Sequence, residues 1–166
     1  MKTFVIAQTL EQTQLAISVH RNAEIGSIRL AKARIGSDDP ETALKHPLEL
    51  FIDAKAKNSK VTAGHLTIDV TFRLAAFRPE GNERDAFSIE SVFQAEYELR
   101  PGFEPTEEQV DAFKAANAIF NCWPYCRQFA QEMVARMGFP PVTLPFLRVQ
   151  TREKKTRKSP RPKADA

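Results

Sequence analysis

Residues 66–74 alternate without a fault. Leu66, Ile68, Val70, Phe72 and Leu74 are apolar, and Thr67, Asp69, Thr71 and Arg73 between them are polar. A strand buried on one face and wet on the other has that pattern, because its side chains switch sides at every residue. The same rhythm returns with Phe87, Ile89, Phe93, Ala95, Tyr97 and Leu99 set against Ser88, Glu90, Gln94, Glu96 and Glu98. Leu48, Leu50, Ile52 and Ala54 mark another such strand. Between these lie KNSK (57–60) and RPEGNERD (78–85), both short and polar, so neighbouring strands are expected to turn back and pair antiparallel. A further strand over 25–35 changes phase after Leu30, which predicts a bulge. The stretch after it, holding Gly36, Pro40 and Pro47, is long for a hairpin and is expected to cross over.

The pattern changes at residue 105. Thr106 followed by Gln109 is a capping box, with Glu107 and Glu108 in the first turn, where the helix dipole favours them. Val110, Phe113 and Phe120 then recur on one face, and Phe129, Met133 and Met137 repeat every four residues. Gly138 is a natural C-cap, and Pro140 and Pro141 forbid continuation. Inside this helix stands FNCWPYCRQF (120–129), where Pro124 removes a hydrogen bond and predicts a break. The elbow residues Phe120, Trp123, Pro124, Tyr125 and Phe129 are read as a helix corner that either wraps the edge of the sheet or sits in an oligomer interface or a groove for apolar partners. Strands followed by helix give an α+β class: a four-stranded antiparallel sheet with a long broken helix packed on one side. The expected organisation is an arm or short helix over 1–22, one domain over 23–147, and a basic disordered tail over 148–166.

That tail hides a charge asymmetry. Residues 148–166 hold 8 Lys/Arg and 2 Asp/Glu; the whole chain has 24 and 21, leaving 16 and 19 for residues 1–147. The body is thus mildly acidic. The tail could bind phosphates, but it lacks aromatics for stacking bases. A nucleic-acid-binding module is therefore the alternative reading, and nucleic acid is not the expected main partner. No run of about 18 apolar residues occurs, and no signal-peptide pattern opens the chain, so a cytoplasmic protein without membrane insertion is expected.

Catalytic and metal chemistry find little support. Cys122 and Cys126 share a helix face at i and i+4, half of a metal site, but His20, His46 and His65 lie in three separate regions. Packing is the better reading for the two thiols. Glu90, Glu96, Glu98 and Asp69 fall on the wet faces of their strands, as solvated carboxylates do. No glycine-rich phosphate loop is present. No cofactor, metal or catalytic residue is expected, and the chain is not read as an enzyme.

Pro105 to Leu147 resembles the C-terminal half of SecB-type export chaperones. The resemblance rests on Trp123-Pro124-Tyr125, Arg127, Gly138-Phe139-Pro140 and Leu144, and extends over residues 15–147 through the number and order of strands and the crossover. It implies a four-stranded sheet, a long broken helix and a homotetramer built as a dimer of dimers. It further implies ATP-independent holding of unfolded or nascent polypeptide in apolar grooves. Delivery to an export motor, or protection of an unstable antitoxin in the toxin–antitoxin branch, would be the physiological setting. On this resemblance the groove residues are expected to be Leu44, Leu48, Leu50, Ile52, Phe139, Leu144 and Leu147. Members that dock the SecA motor carry a strongly acidic body and a zinc-binding tail; this chain has neither.

Overall fold

A computed structural model describes residues 3–79 and 85–152. The elements run β1 (Phe4–Thr9), α1 (Leu10–His20), β2 (Ala23–Ser37), α2 (Pro40–Ala43), β3 (Glu49–Thr62), β4 (His65–Phe77), β5 (Asp85–Leu99), α3 (Glu107–Phe113), a π-helical stretch (Lys114–Ala118), α4 (Ile119–Arg136) and β6 (Leu147–Arg152). The main sheet is antiparallel and four-stranded, in the order β2-β5-β4-β3. Strands β2 and β3 are successive in the chain yet occupy opposite edges, so the segment holding α2 crosses over, as its length required. A second, two-stranded sheet pairs β1 with β6 in parallel.

Leu66, Ile68, Val70, Phe72, Leu74 and Ala76 of β4 are all buried, as are Ile89, Phe93, Ala95 and Tyr97 of β5. The core therefore lies on one face of the two central strands, with α4 laid across it through Cys122, Trp123, Cys126, Ala130 and Val134. Phe72 meets Trp123 with ring centroids 5.7 Å apart, and Phe93 meets Phe129 edge-on at 6.2 Å. The helices leave much of the β2 edge uncovered. Ile25, Leu30 and Ile35 pair with buried Tyr97, Phe93 and Ile89 and so share their face, yet remain 52%, 41% and 41% exposed.

The expected bulge in β2 is present, with a register shift between Leu30 and Lys32, and a second shift lies between Ile25 and Ser27. The capping box on Thr106 and Gln109 forms in both directions. Three expectations are corrected. Residues 57–60 are not a turn but the far half of β3, which absorbs them through an irregularity between Ala56 and Ser59. The hairpin turns instead at Ala63 and Gly64, both at positive φ (50° and 77°), the two-residue geometry whose twist suits a hairpin. The RPEGNERD turn lies largely outside the described residues, which stop at 79 and resume at 85.

The second correction concerns the helix. It does not break at Pro124; α4 runs through it, and the irregularity is the π-helical stretch before it. Pro124 sits on the exposed side, where water can serve the carbonyl its missing N–H leaves free. Because a π turn holds an extra residue, a helical period read from Val110 and Phe113 does not carry across to Phe120. Phe120 is accordingly 51% exposed, whereas Val110 and Phe113 are buried. The third concerns the tail: residues 148–152 belong to β6, so the expected boundary falls inside a strand, and 153–166 lie outside the described residues.

Candidate functional site

A cleft of about 210 Å³ opens where the crossover, the start of β3 and the segment after α4 meet. Its first wall follows α2. Asp39 caps this helix, accepting from the Thr42 backbone N–H at 3.0 Å and the Thr42 hydroxyl at 2.7 Å, and those bonds hold its carboxyl below the usual range. The chain leaving α2 then delivers Leu44 and Leu48. Leu50, opposite buried Ala76, adds the strand wall. The remaining wall follows Gly138, whose φ of 83° turns the chain off the end of α4. Phe139 there packs edge-on against Phe87 at 5.1 Å, and Pro140, Pro141 and Val142 continue the wall.

Every wall but one residue, Glu49, is apolar or proline. Such a surface offers non-directional gain, about 25 cal/mol per Å² of apolar area it removes from water. It carries no group placed to transfer a proton or hold a metal. Among the described residues no group of three or more His, Cys, Asp and Glu side chains comes together.

Of the seven expected groove residues, Leu44, Leu48, Leu50 and Phe139 are brought together here. Ile52 lies further along the same face of β3, half-buried against the core. Leu144 and Leu147 are buried and do not line this cleft, because β6 brings Leu147 opposite Phe4 and closes the core beneath both. Sequence reasoning missed Pro140, Pro141 and Val142 as wall residues. Their signal was present in GFPPV, read there as a helix stop and a family motif, with Phe139 alone assigned to the groove.

The elbow set divides in the same way. Trp123 is buried, its indole N–H donating to the Pro145 carbonyl at 3.2 Å and its ring 5.3 Å from Phe4. Phe129 is half-buried, and Phe120, Pro124 and Tyr125 are exposed. Phe120 also borders a cleft of about 270 Å³ with Ala16, Ile17, Asn117 and Val149. Both cysteines are buried, and burial pushes each thiol up to about 12. On the opposite face of the sheet a concavity of about 320 Å³ is ringed by Arg34, Arg73, Asp85 and Glu90, with Arg73 and Glu90 paired at 3.6 Å.

No family model matches the chain. Two curated relatives do, both from Mycobacterium tuberculosis. The SecB-like chaperone MT2006 is 26% identical over 158 residues, covering 85% of this chain and 86% of the relative. The SecB-like chaperone Rv1957 is 25% identical over the same span and coverage. A solved structure of Rv1957 in complex with a ChAD peptide from the antitoxin HigA1 superposes with a TM-score of 0.70 at 20% identity, covering 83% of this chain and 100% of that one. The chain resembles SecB-like chaperones and has their fold. The SecB-like fold comprises the four-stranded sheet and the long helix, as the resemblance in WPY and GFPP implied.

Proposed function

We propose that this SecB-like protein is an ATP-independent holding chaperone that takes up segments of non-native polypeptide in its apolar cleft. The observation that carries the reading is the cleft itself: Leu44, Leu48, Leu50 and Phe139 converge from three parts of the chain onto an open, almost wholly apolar surface. An unfolded segment offers the matching chemistry. Burial of apolar side chains is non-directional, so one cleft accommodates many sequences. Holding requires no catalytic group and no cofactor.

The client class is unfolded or nascent polypeptide, either preproteins for export or an unstable antitoxin. The M. tuberculosis relative solved in complex with an antitoxin peptide supports a polypeptide client. The working form is a homotetramer, a dimer of dimers, acting in the cytoplasm. Two surfaces support self-association. One is the uncovered β2 edge with Ile25, Leu30 and Ile35; the other is the exposed helix face with Phe120, Pro124 and Tyr125. Among the described residues no helix is long and apolar enough to cross a membrane.

The test mixes the protein with a chemically denatured, aggregation-prone enzyme and follows light scattering on dilution without nucleotide, with molar mass measured in parallel. Suppression near one tetramer per client is expected. A well-folded oligomer that leaves aggregation unchanged overturns the holding role.

A further inference from the structure

We propose that the open edge of β6 takes up an extended acidic segment of another protein as an added strand. The site shares no residue with the apolar cleft. It stands apart from client holding and survives if that reading fails.

Pairing with β1 uses only one edge of β6. The Phe4 N–H donates to the Phe146 carbonyl at 3.1 Å, and Phe4 stands opposite Leu147. In such a parallel ladder Phe146, Arg148 and Gln150 turn their backbone groups to β1, while Leu147, Val149 and Thr151 turn theirs the other way. Among the described residues no strand pairs with that second edge. Parallel strands ordinarily sit inside larger sheets covered on both faces, and a pair of strands on its own is marginal. Here the parallel sheet has two strands, and every residue of β6 after Leu147 is exposed. An edge of this kind is a template for one more strand.

The side chains select the occupant. Leu147 points inward and is buried, so Phe146, Arg148, Gln150 and Arg152 share the outward face. Phe146 is 64% exposed, and the guanidinium of Arg127 lies over its ring, 5.1 Å from the centroid. Neither β1 nor β6 contains an Asp or Glu. Among the described residues the ion pairs are Lys55–Asp53, His65–Glu96, Arg73–Glu90 and Lys114–Asp111, and none engages Arg127, Arg148 or Arg152. Arg148 and Arg152 stand roughly 13 Å apart, the span of four residues of extended chain. An added strand with carboxylates four positions apart therefore meets both arginines. An apolar side chain two positions from the first carboxylate then lies on Phe146. On the other face Val149, 41% exposed, takes an apolar neighbour. A second copy of β6 does not fit this edge, because it would set arginine against arginine, and like charges across paired strands are destabilising.

The experiment is fluorescence anisotropy on the full chain, with a labelled peptide of about twelve residues in which glutamate alternates with valine and threonine. The competitors are the unlabelled peptide, its glutamine-for-glutamate version, its backbone N-methylated version and an oligo-U RNA of similar length. Micromolar binding at about 50 mM salt is expected, weakening towards about 300 mM as the charges are screened. The glutamine and N-methylated peptides should each compete at least about fivefold less well than the parent peptide. Arg148→Ala/Arg152→Ala should weaken binding at least about threefold, as the loss of two surface ion pairs does. Val149→Pro removes an N–H that the β1–β6 ladder does not use, and should weaken binding to a similar degree. Thermal melts check the fold of each variant, and Thr151→Pro replaces Val149→Pro if that variant fails. No binding at low salt overturns the proposal. Equal competition by the N-methylated peptide overturns strand addition, and parental affinity in the arginine variant overturns the charge assignment. Loss of binding in Leu50→Asp would move the peptide to the apolar cleft, and RNA that displaces it better than the unlabelled peptide would give the face to nucleic acid; either outcome sinks the proposal.

Discussion

Trp123 donates its indole N–H to the carbonyl oxygen of Pro145, 3.2 Å away, and so ties the middle of the long helix to the segment entering β6. The same ring lies 5.3 Å from Phe4 of β1 and 5.7 Å from Phe72 of β4. One side chain thus joins both sheets to the helix. Replacing it with alanine should cost about 3–5 kcal/mol, the usual loss for a large core aromatic. Trp123→Phe keeps a ring and forfeits the hydrogen bond, for a loss of about 1 kcal/mol beyond any misfit. Urea denaturation measures both. Equal losses for the two variants would show that the bond, not the packing, holds the sheets together.

Gly138 is the second structural hinge. Its φ of 83° suits glycine, and a Cβ built there would stand 3.3 Å from Cγ of Pro40 in the crossover. Gly138→Ala therefore meets a left-handed penalty of about 1–2 kcal/mol and presses on Pro40 of α2, the helix that leads into the cleft. A lower denaturant midpoint together with weaker client holding is expected. An unchanged midpoint would mean that the cap relaxes without strain.

The buried thiols make a pH prediction. Cys122 and Cys126 titrate near 12 in the fold because burial disfavours the thiolate, against an ordinary value of 9.0. For Cys126 a hydrogen bond from Ser91 offsets part of that rise. A group whose folded pKa is raised binds its proton longer in the native state. Its contribution is intact below the unfolded pKa, and unfolding is favoured progressively as pH climbs from about 9 towards 12. Tyr97, also raised by burial, adds to the loss above its ordinary value of 10.0. Stability should therefore fall steeply with alkaline pH, and Cys122→Ala/Cys126→Ala should flatten that fall. A thiol reagent at pH 8 should label neither cysteine until denaturant is added; rapid labelling of the native protein would contradict the burial.

How far the sequence reached depended on the range of the interaction. The faces of β4 and β5 were legible because alternation is a local signal, and so were the cap on Thr106 and the stop at Gly138. The Ala63–Gly64 turn was not, since alanine at positive φ is rare and Lys57-Asn58-Ser59-Lys60 imitates a turn. The pairing of β1 with β6 was invisible for a different reason. It joins residues at opposite ends of the chain, Phe4 with Leu147, and neither stretch alternates strongly. The cleft was half legible. Leu44, Leu48 and Leu50 were recognisable as apolar residues near a crossover, but which of Phe139, Leu144 and Leu147 would join them depended on how the chain turns after Gly138.

The cleft and the helix face should separate by mutation. Leu44 and Leu50 are 46% and 39% exposed, so aspartate at either position leaves the folded monomer nearly as stable as before. A client segment seated there would have to bury the charge and would lose the leucine contact. Less than half of each leucine is left to bury, so that contact alone is worth about 0.6–1.4 kcal/mol, or roughly 3- to 10-fold in affinity. Leu44→Asp and Leu50→Asp are therefore expected to weaken suppression of aggregation at unchanged molar mass. Phe120→Asp, on the exposed helix face, should instead lower the molar mass. Phe51→Asp, on the far side of the sheet and 49% exposed, serves as a control for surface charge and should do neither. Light scattering of a denatured client, read beside the mass of each variant, distinguishes these outcomes. Equal loss of holding in Leu50→Asp and Phe51→Asp would show that any added charge disturbs the client, and the cleft would lose its assignment.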